Sequence, residues 1–221
     1  MAGESTIAID GPVASGKTAV GRLLAHKLRY RFLDTGLMYR AVAWAALRRR
    51  VPMDDEPALT RLAQELRTEV VPGPEGDRVS VDGVDATREL RGPAIDEASS
   101  QVSRVLGVRK ALVAQQQEMA GAGRIVMVGR DIGTVVLPDA PVKLFLHASE
   151  GERAHRRHRE LEAQGQQTSY EVVRRDVEAR DRRDQERVHS PLRPAPDAHV
   201  FNTEDVSVDE VVRRIQILVR G

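Results

Sequence analysis

Eight residues, Gly11-Pro12-Val13-Ala14-Ser15-Gly16-Lys17-Thr18, follow directly on the apolar run Thr6-Ile7-Ala8-Ile9 and complete the spacing G-x-x-x-x-G-K-[ST]. This spacing suits a nucleotide's phosphates. Glycines at both ends let the loop curl until successive backbone N–H groups converge, and a helix starting at its end turns its positive pole on the same anion. Lys17 would then reach the β- and γ-phosphates, and the Thr18 hydroxyl would ligate Mg²⁺. Glycine-rich strings also occur in ordinary turns, but the strand before and the helical pattern after make a nucleoside triphosphate the expected ligand.

Arginine is the second signal. Residues 150–160 read Glu-Gly-Glu-Arg-Ala-His-Arg-Arg-His-Arg-Glu and place Arg153, Arg156, Arg157 and Arg159 just after an apolar run. On its own such a string is a solvated helix face with i,i+4 ion pairs. It has almost no apolar anchor, however, and a loosely held arginine helix beside a triphosphate is what a closing phosphoryl-transfer lid requires. A mobile lid is therefore expected over residues 148–165. The guanidinium suits this work because it stays charged and grips two phosphate oxygens at once. A second cluster, Arg180-Asp181-Arg182-Arg183-Asp184-Gln185-Glu186-Arg187, has two readings. It is either a surface salt-bridge ladder or a helix face with Arg180, Asp184 and Arg187 at i, i+4 and i+7, able to hold a sugar and a phosphate together.

Two further strings, Asp34-Thr35-Gly36-Leu37-Met38-Tyr39-Arg40 and Gly129-Arg130-Asp131-Ile132-Gly133-Thr134, each follow an apolar run. Both fall at the carboxyl end of an expected strand, the rim where open parallel sheets bind ligands. An Asp after a strand is often a helix N-cap, the lesser reading for Asp34, whereas Asp131, between Gly129, Arg130 and Gly133, reads as a ligand contact. The six histidines lack metal-ligand spacing, and His155 and His158 sit within the arginine-rich stretch. No metal site made wholly of protein side chains is expected.

The elements that must position these residues follow from periodicity. Val20, Leu23, Leu24 and Leu28 recur at helical spacing opposite Arg22, Lys27 and Arg29, which predicts an amphipathic helix over 17–29. A strand ending at Phe32-Leu33-Asp34 and a helix from about Gly36 to Arg49 repeat the unit. Ile125–Val128 and Val142–Leu146 are too short for helices and read as strands, as does Ala198–Phe201, with Val208, Val211, Val212, Ile215 and Leu218 marking a closing helix. Alternation of this kind predicts an α/β fold, a parallel sheet with helices on both faces.

From about Leu62 to Val102 the rhythm turns to period two in Thr68–Val71 and Val79–Val81, with Asp82-Gly83 as a hairpin signal before Val84-Asp85-Ala86. This reads as a small antiparallel insert. Pro72-Gly73-Pro74-Glu75-Gly76 is a loop by composition. Ile95, Ala98 and Val102, then Val108, Leu112, Gln115 and Met119, suggest two helices leading back to the core. The expected organisation is one domain over 1–221, with core 1–61 and 103–221, an insert at about 62–102 and the lid at 148–165.

Composition narrows the classes. With 34 Lys and Arg against 33 Asp and Glu, the net charge of +1 gives no field for nucleic acid. The lack of cysteine removes disulfides, thiolate metal sites and cysteine nucleophiles. No basic-apolar leader and no apolar run approaching about 18 residues is legible, so a soluble, cytoplasmic protein without membrane partner is expected. Coiled-coil heptads are lacking too, and a monomer is expected.

Taken in order along the chain, Ile-Asp-Gly-Pro with its phosphate loop, Leu33-Asp34-Thr35-Gly36 with Met38-Tyr39-Arg40, Gly129-Arg130-Asp131-Ile132-Gly133-Thr134-Val135-Val136, Glu152-Arg153-Ala154-His155-Arg156-Arg157 and Arg180-Asp181-Arg182-Arg183-Asp184 give a specific pattern. The chain resembles the bacterial cytidylate kinases of the nucleoside monophosphate kinase group. The resemblance implies a P-loop fold in which the segment near 62–102 is a monophosphate-binding insert, and phosphorylation of CMP and dCMP by Mg²⁺-bound ATP within pyrimidine nucleotide metabolism. By the same resemblance Gly11 to Ala19 bind ATP, while Ser100, Arg109 and Asp131 read the cytosine edge. Thr35 joins the CMP site, Arg180 and Asp184 hold the ribose, and Arg40, Arg130 and Arg187 bind the acceptor phosphate. Arg153 and Arg157 approach the ATP phosphates, and Lys17, Arg130, Arg153, Arg157 and Arg187 form the catalytic set.

A phosphate acceptor is already anionic, so direct transfer needs no strong general base and no covalent intermediate, only alignment and charge neutralisation. Two other readings of the phosphate loop stand beside this one. A kinase of a sugar or hydroxy acid would not need so many arginines beyond the loop, and a guanine-nucleotide switch would carry an Asn-Lys-x-Asp string that this chain lacks.

Overall fold

A computed structural model describes residues 6–71, 73 and 77–220. Apart from Gly73, the Pro72–Gly76 loop lies outside the described residues. In chain order the first elements are β1 (Thr6–Asp10), α1 (Lys17–Leu28), β2 (Arg31–Asp34), α2 (Gly36–Arg48), α3 (Glu56–Glu65), β3 (Thr68–Val71), β4 (Arg78–Val81) and β5 (Val84–Asp85). There follow α4 (Pro93–Val102), α5 (Leu106–Gly121), β6 (Ile125–Gly129), a π-helical turn (Ile132–Val136), β7 (Val142–His147), α6 (Glu150–Ala163), α7 (Tyr170–Gln185), β8 (His199–Asn202) and α8 (Val208–Arg220). Two compact units emerge, one made of the chain up to Phe32 together with everything from Gly123 on, the other of Leu33–Ala122.

The first unit is built on a five-stranded sheet of order β2-β6-β1-β7-β8. β1 runs parallel to β6 and to β7, and β7 parallel to β8. Every residue of β1 and β6 is buried, as a parallel strand covered on both faces demands. Edge strand β8 instead leaves Val200 exposed. Alternate residues Ile7 and Ile9, Val126 and Val128, and Leu144 and Leu146 form one core with Val20, Leu24 and Ala25 of α1 and Val211, Val212 and Ile215 of α8. Val208 and Leu218, expected on the same face of α8, are exposed; beyond Ile215 it is Val219 that packs against the core.

The second unit holds α2 to α5 and a three-stranded antiparallel sheet of order β3-β4-β5. The hairpin signal is realised: Asp82 and Gly83 take φ values of +50° and +78°, the left-handed pair that a two-residue turn between twisted strands requires. The Asp82 carboxylate also accepts bonds from the Arg67 N–H and the Arg49 guanidinium. The period-two stretch does not begin at Leu62, as expected from sequence. Leu62 lies in α3, where it is buried beside Leu59 and Ala63 at helical spacing, capped by the Asp55 carboxylate, which accepts the Ala58 N–H.

α1 lies close on β6 because Gly21 has no side chain. A Cβ there would come 2.5 Å from Val128 Cγ1 and 3.0 Å from Phe32 Cε2. Gly21→Ala gains up to about 1 kcal/mol of helix propensity, but a β-branched neighbour in a buried strand yields little, so a net loss of about 1–2 kcal/mol is expected in a urea titration. A variant as stable as the parent would show that α1 shifts freely on the sheet.

Candidate active site

The phosphate loop connects β1 to α1. Gly11 passes so near β7 that a Cβ would lie 2.2 Å from the Leu146 carbonyl oxygen and 2.8 Å from Ser15 Oγ. Ala14 and Gly16 take φ values of +56° and +86°. Gly16 is the N-cap of α1 and supplies no side-chain cap, so the helix start is shaped for an outside acceptor. Lys17, almost buried, arches back to donate to the Pro12 carbonyl at 2.9 Å. The hydroxyl of Ser15 is buried without a partner, a polar atom that a phosphate oxygen would satisfy.

Beside it, at the end of β6, Arg130 and Asp131 enter the π-helical turn, and the Asp131 carbonyl accepts from the N–H groups of Val135 and Val136. Arg130 Nε donates to Asp184 Oδ2 at 2.7 Å, and Arg187 donates to the other oxygen, Asp184 Oδ1. α7 ends at Gln185, so Arg187 stands two residues beyond the helix rather than on its face. It meets Asp184 all the same. Arg180, one turn earlier, adds its charge to the same carboxylate.

β7 leads into α6, where the expectation of an unanchored helix needs correction. Ala154 is fully buried, and Arg153 is only 6% exposed, its Nε on the Ala148 carbonyl, Nη1 on Val13 of the phosphate loop at 3.3 Å and Nη2 on Asp181 of α7. The anchor is polar rather than apolar. Arg157 pairs with Glu160, whereas Arg156 reaches Thr203, whose Oγ1 is within hydrogen-bond distance of the Ser15 carbonyl. Its Nη1 would be 3.8 Å from a Cβ at Gly16. His155 stacks on Tyr170 with ring centroids 4.3 Å apart, and His158 Nε2 lies 2.9 Å from the Thr168 carbonyl oxygen.

The remaining sequence-derived residues belong to the second unit. Thr35 is buried at the start of α2, where Asp34 Oδ1 accepts the Gly36 N–H, the N-cap-like turn that was one reading of Asp34. Arg40 donates to the Leu90 carbonyl and to Asp96. Ser100 and Arg109 are both buried and share Ser103, whose Oγ donates to the Ser100 carbonyl while its own carbonyl accepts from Arg109 Nη1. The Arg109 guanidinium sits 5.7 Å from the Tyr39 ring centroid.

A profile of the cytidylate kinase family matches residues 7–220. The chain belongs to that family. It is 48% identical over 217 residues to a bifunctional pantoate ligase/cytidylate kinase of Synechococcus sp., covering 97% of this chain and 40% of that one. The chain therefore spans less than half the length of that bifunctional relative. It is also 48% identical to the cytidylate kinase of Mycolicibacterium paratuberculosis, with 100% of this chain and 97% of the other aligned. Among solved structures a gluconokinase from Sinorhizobium meliloti shares the fold, with a TM-score of 0.50 at 14% identity over 99% of this chain and 93% of that one.

Within this member of the family, sequence reasoning missed the supporting residues Asp10, Asp181, Ser103, Asp96 and Thr203. Asp10, Asp181, Asp96 and Thr203 act through contacts distant in sequence, and Ser103 through a local turn to Ser100 and Arg109; single Asp, Ser or Thr residues leave no periodic trace. Burial pushes the Asp10 carboxyl up to about 6, aided by the Asp131 charge and opposed by the Gly133 and Ile132 amides and by Lys17. Burial also raises Asp181, only partly offset by Arg153. Asp184 goes the other way: burial would raise it, but Arg130 and Arg187, with help from Arg180, hold it below the ordinary carboxylate value.

That last shift has a stability consequence. A carboxyl depressed in the folded state stabilises above its unfolded pKa and loses that contribution as pH falls through the folded value. Asp184→Ala orphans two arginines that keep a little water, so a loss of about 2–4 kcal/mol is expected at about pH 7, shrinking toward about pH 3. Urea titrations at both pH values check this, and a gap that does not change with pH would mean packing, not charge, is what the residue supplies.

Proposed function

We propose that this chain transfers the γ-phosphoryl group of ATP to the 5′-phosphate of CMP and dCMP, giving ADP with CDP or dCDP. The reading is carried by one observation: a phosphate loop with a second set of arginines, Arg130 and Arg187 on Asp184, at the neighbouring strand end, in a chain of the cytidylate kinase family. A second arginine set suits an acceptor that is itself a phosphate.

The phosphate loop, Gly11 to Ala19, holds ATP, with Lys17 on the β- and γ-phosphates. Arg40, Arg130 and Arg187 bind the acceptor phosphate, Arg180 and Asp184 take the ribose, Ser100, Arg109 and Asp131 read the base, and Thr35 is a further residue of the CMP site. Residues 148–165 act as the lid, bringing Arg153 and Arg157 toward the triphosphate, with the segment about 62–102 as the monophosphate-binding insert. The Ser15 hydroxyl left without a partner supports an oxyanion in the loop. Thr18, the residue after Lys17, offers a hard oxygen of the kind Mg²⁺ takes alongside phosphates and water. Bound with ATP, Mg²⁺ would supply charge neutralisation across the phosphates. An acceptor oxygen attacks in line, Lys17 and the arginines spread the charge of the loosening γ-phosphoryl group, and lid closure keeps water from competing. No described helix is long and apolar enough to cross a membrane, and the reading is completed by a cytoplasmic monomer acting on small molecules.

Incubation with Mg-ATP and a panel of nucleoside monophosphates, sugars and hydroxy acids, followed by product separation, tests the assignment. CDP and dCDP are the expected products, and turnover of only a non-phosphorylated acceptor would overturn it. Lys17→Ala should lower kcat by about 10²-fold or more with the fold retained by circular dichroism, since its charge matters most as the β–γ bond loosens. Unchanged turnover at saturation would remove the phosphate loop from the mechanism.

Base choice gives a sharper check. Cytosine offers an amino donor and an N3 acceptor where uracil offers a carbonyl and an N3–H, so a carboxylate at Asp131 matches one edge and opposes the other. Mismatched buried groups cost about 1–3 kcal/mol each, so CMP should exceed UMP by about 10²-fold in kcat/KM. Asp131→Asn should impair CMP far more than UMP and narrow the ratio. Equal losses on both substrates would mean that Asp131 does not read the base.

A further inference from the structure

We propose that Asp10 is a positioning residue for phosphoryl transfer: its carboxylate ties the residue just before the phosphate loop to the turn that follows Arg130 and Asp131, and so sets donor against acceptor. The proposal rests on the function assigned above.

Asp10 ends β1, one residue before Gly11. Its side chain is 3% exposed, and its two oxygens are used separately, Oδ1 accepting the Ile132 N–H at 2.7 Å and Oδ2 the Gly133 N–H at 2.8 Å. Two bonds from one rigid carboxylate to adjacent peptides fix the turn in rotation as well as in distance. The place matters. The β1–β6 ladder runs from Thr6 opposite Ile125 to Asp10 opposite Gly129, so Arg130 and Asp131 lie just past the last backbone pair, where the ladder no longer holds them. The carboxylate continues the cross-link beyond them to residues 132 and 133. Arg130 and Asp131 are thus held from both sides, by β6 before and by Asp10 after.

The turn packs closely on the carboxylate and on the Lys143 stem. A Cβ at Gly133 would be 3.4 Å from Asp10 Oδ2 and 3.3 Å from Lys143 Cδ. The surroundings also oppose a charge whose only purpose is packing: burial and the Asp131 charge disfavour the anion, while Lys17 and the two amides favour it. An ionisable group kept in such a place is explained by the need for two acceptors with fixed spacing, which neither an amide nor a hydroxyl provides. In-line transfer is sensitive to displacements on the order of 1 Å, and this clamp spans the backbone between the proposed donor loop and the proposed acceptor residues.

The test is Asp10→Asn, nearly isosteric but with an NH₂ set against one of the two peptide N–H groups. ATP affinity should stay within about twofold, since the loop's own amides are untouched, while kcat falls about 30-fold or more and KM for CMP rises about fivefold. Amide exchange at Ile132 and Gly133, measured without substrate, should accelerate. Asp10→Glu keeps both acceptors and should recover part of kcat over the Asn variant. Should Asp10→Asn fail to fold, the Glu variant carries the test, and parent-like rates with a displaced turn would overturn the proposal. Parent-like kinetics in Asp10→Asn, or equal weakening of ATP and CMP, also overturn it, the second because a purely structural role would loosen both. Failure of the unaltered chain to phosphorylate CMP would instead sink the assigned function. The exchange rates would still show whether the clamp holds the turn, and unchanged exchange overturns the proposal whatever the acceptor.

Discussion

β1 is buried on both faces and flanked on both edges, by β6 and β7 in parallel register. In a parallel sheet all three strands end on the same side, so their next residues emerge at one rim. After β1 comes the phosphate loop, after β6 come Arg130 and Asp131, and after β7 comes the chain that leads to Arg153. Without β1 as the shared centre, these groups would be unrelated pieces of sequence. The apolar cost of making β1 central is small, because Ile7, Ala8 and Ile9 need no water and its backbone groups are paired on both edges.

What collects at that rim is mostly positive charge, which would repel itself if it were not paired. The chain answers with carboxylates placed among the arginines: Asp184 between Arg130 and Arg187, and Asp181 on Arg153. Each does a different electrostatic job. Asp184 stays ionised because two guanidiniums outweigh its burial, whereas the carboxyl of Asp181, with fewer partners, is raised. The arginines are therefore held in set directions by fixed anions, which lowers the ordering cost of any anion they would bind under the function proposed above.

The second unit applies the same economy with both neutral groups and a carboxylate. Ser103 links Ser100 to Arg109 through its hydroxyl and its carbonyl, and Tyr39 lies by the Arg109 guanidinium. Asp96 and the Leu90 carbonyl together direct Arg40. In both units a residue legible in sequence is aimed by one that is not.

The sequence by itself determined the elements and the chemical vocabulary. The phosphate loop, the five strands of the parallel sheet, the Asp82-Gly83 hairpin and the arginine clusters are local, and each depends on residue types within a few positions of one another, where backbone geometry and periodicity act. Only the tertiary structure decided which groups answer each other. Asp10 meets Ile132 and Gly133 across more than 120 positions, Arg153 reaches back to Val13, and Arg187 leaves its helix yet keeps Asp184. The apolar poverty of α6 pointed to a loose helix because periodicity measures only hydrophobic anchoring. A buried arginine with polar partners is an anchor that this measure does not register, and two of those partners, Val13 and Asp181, become its neighbours only in the tertiary fold.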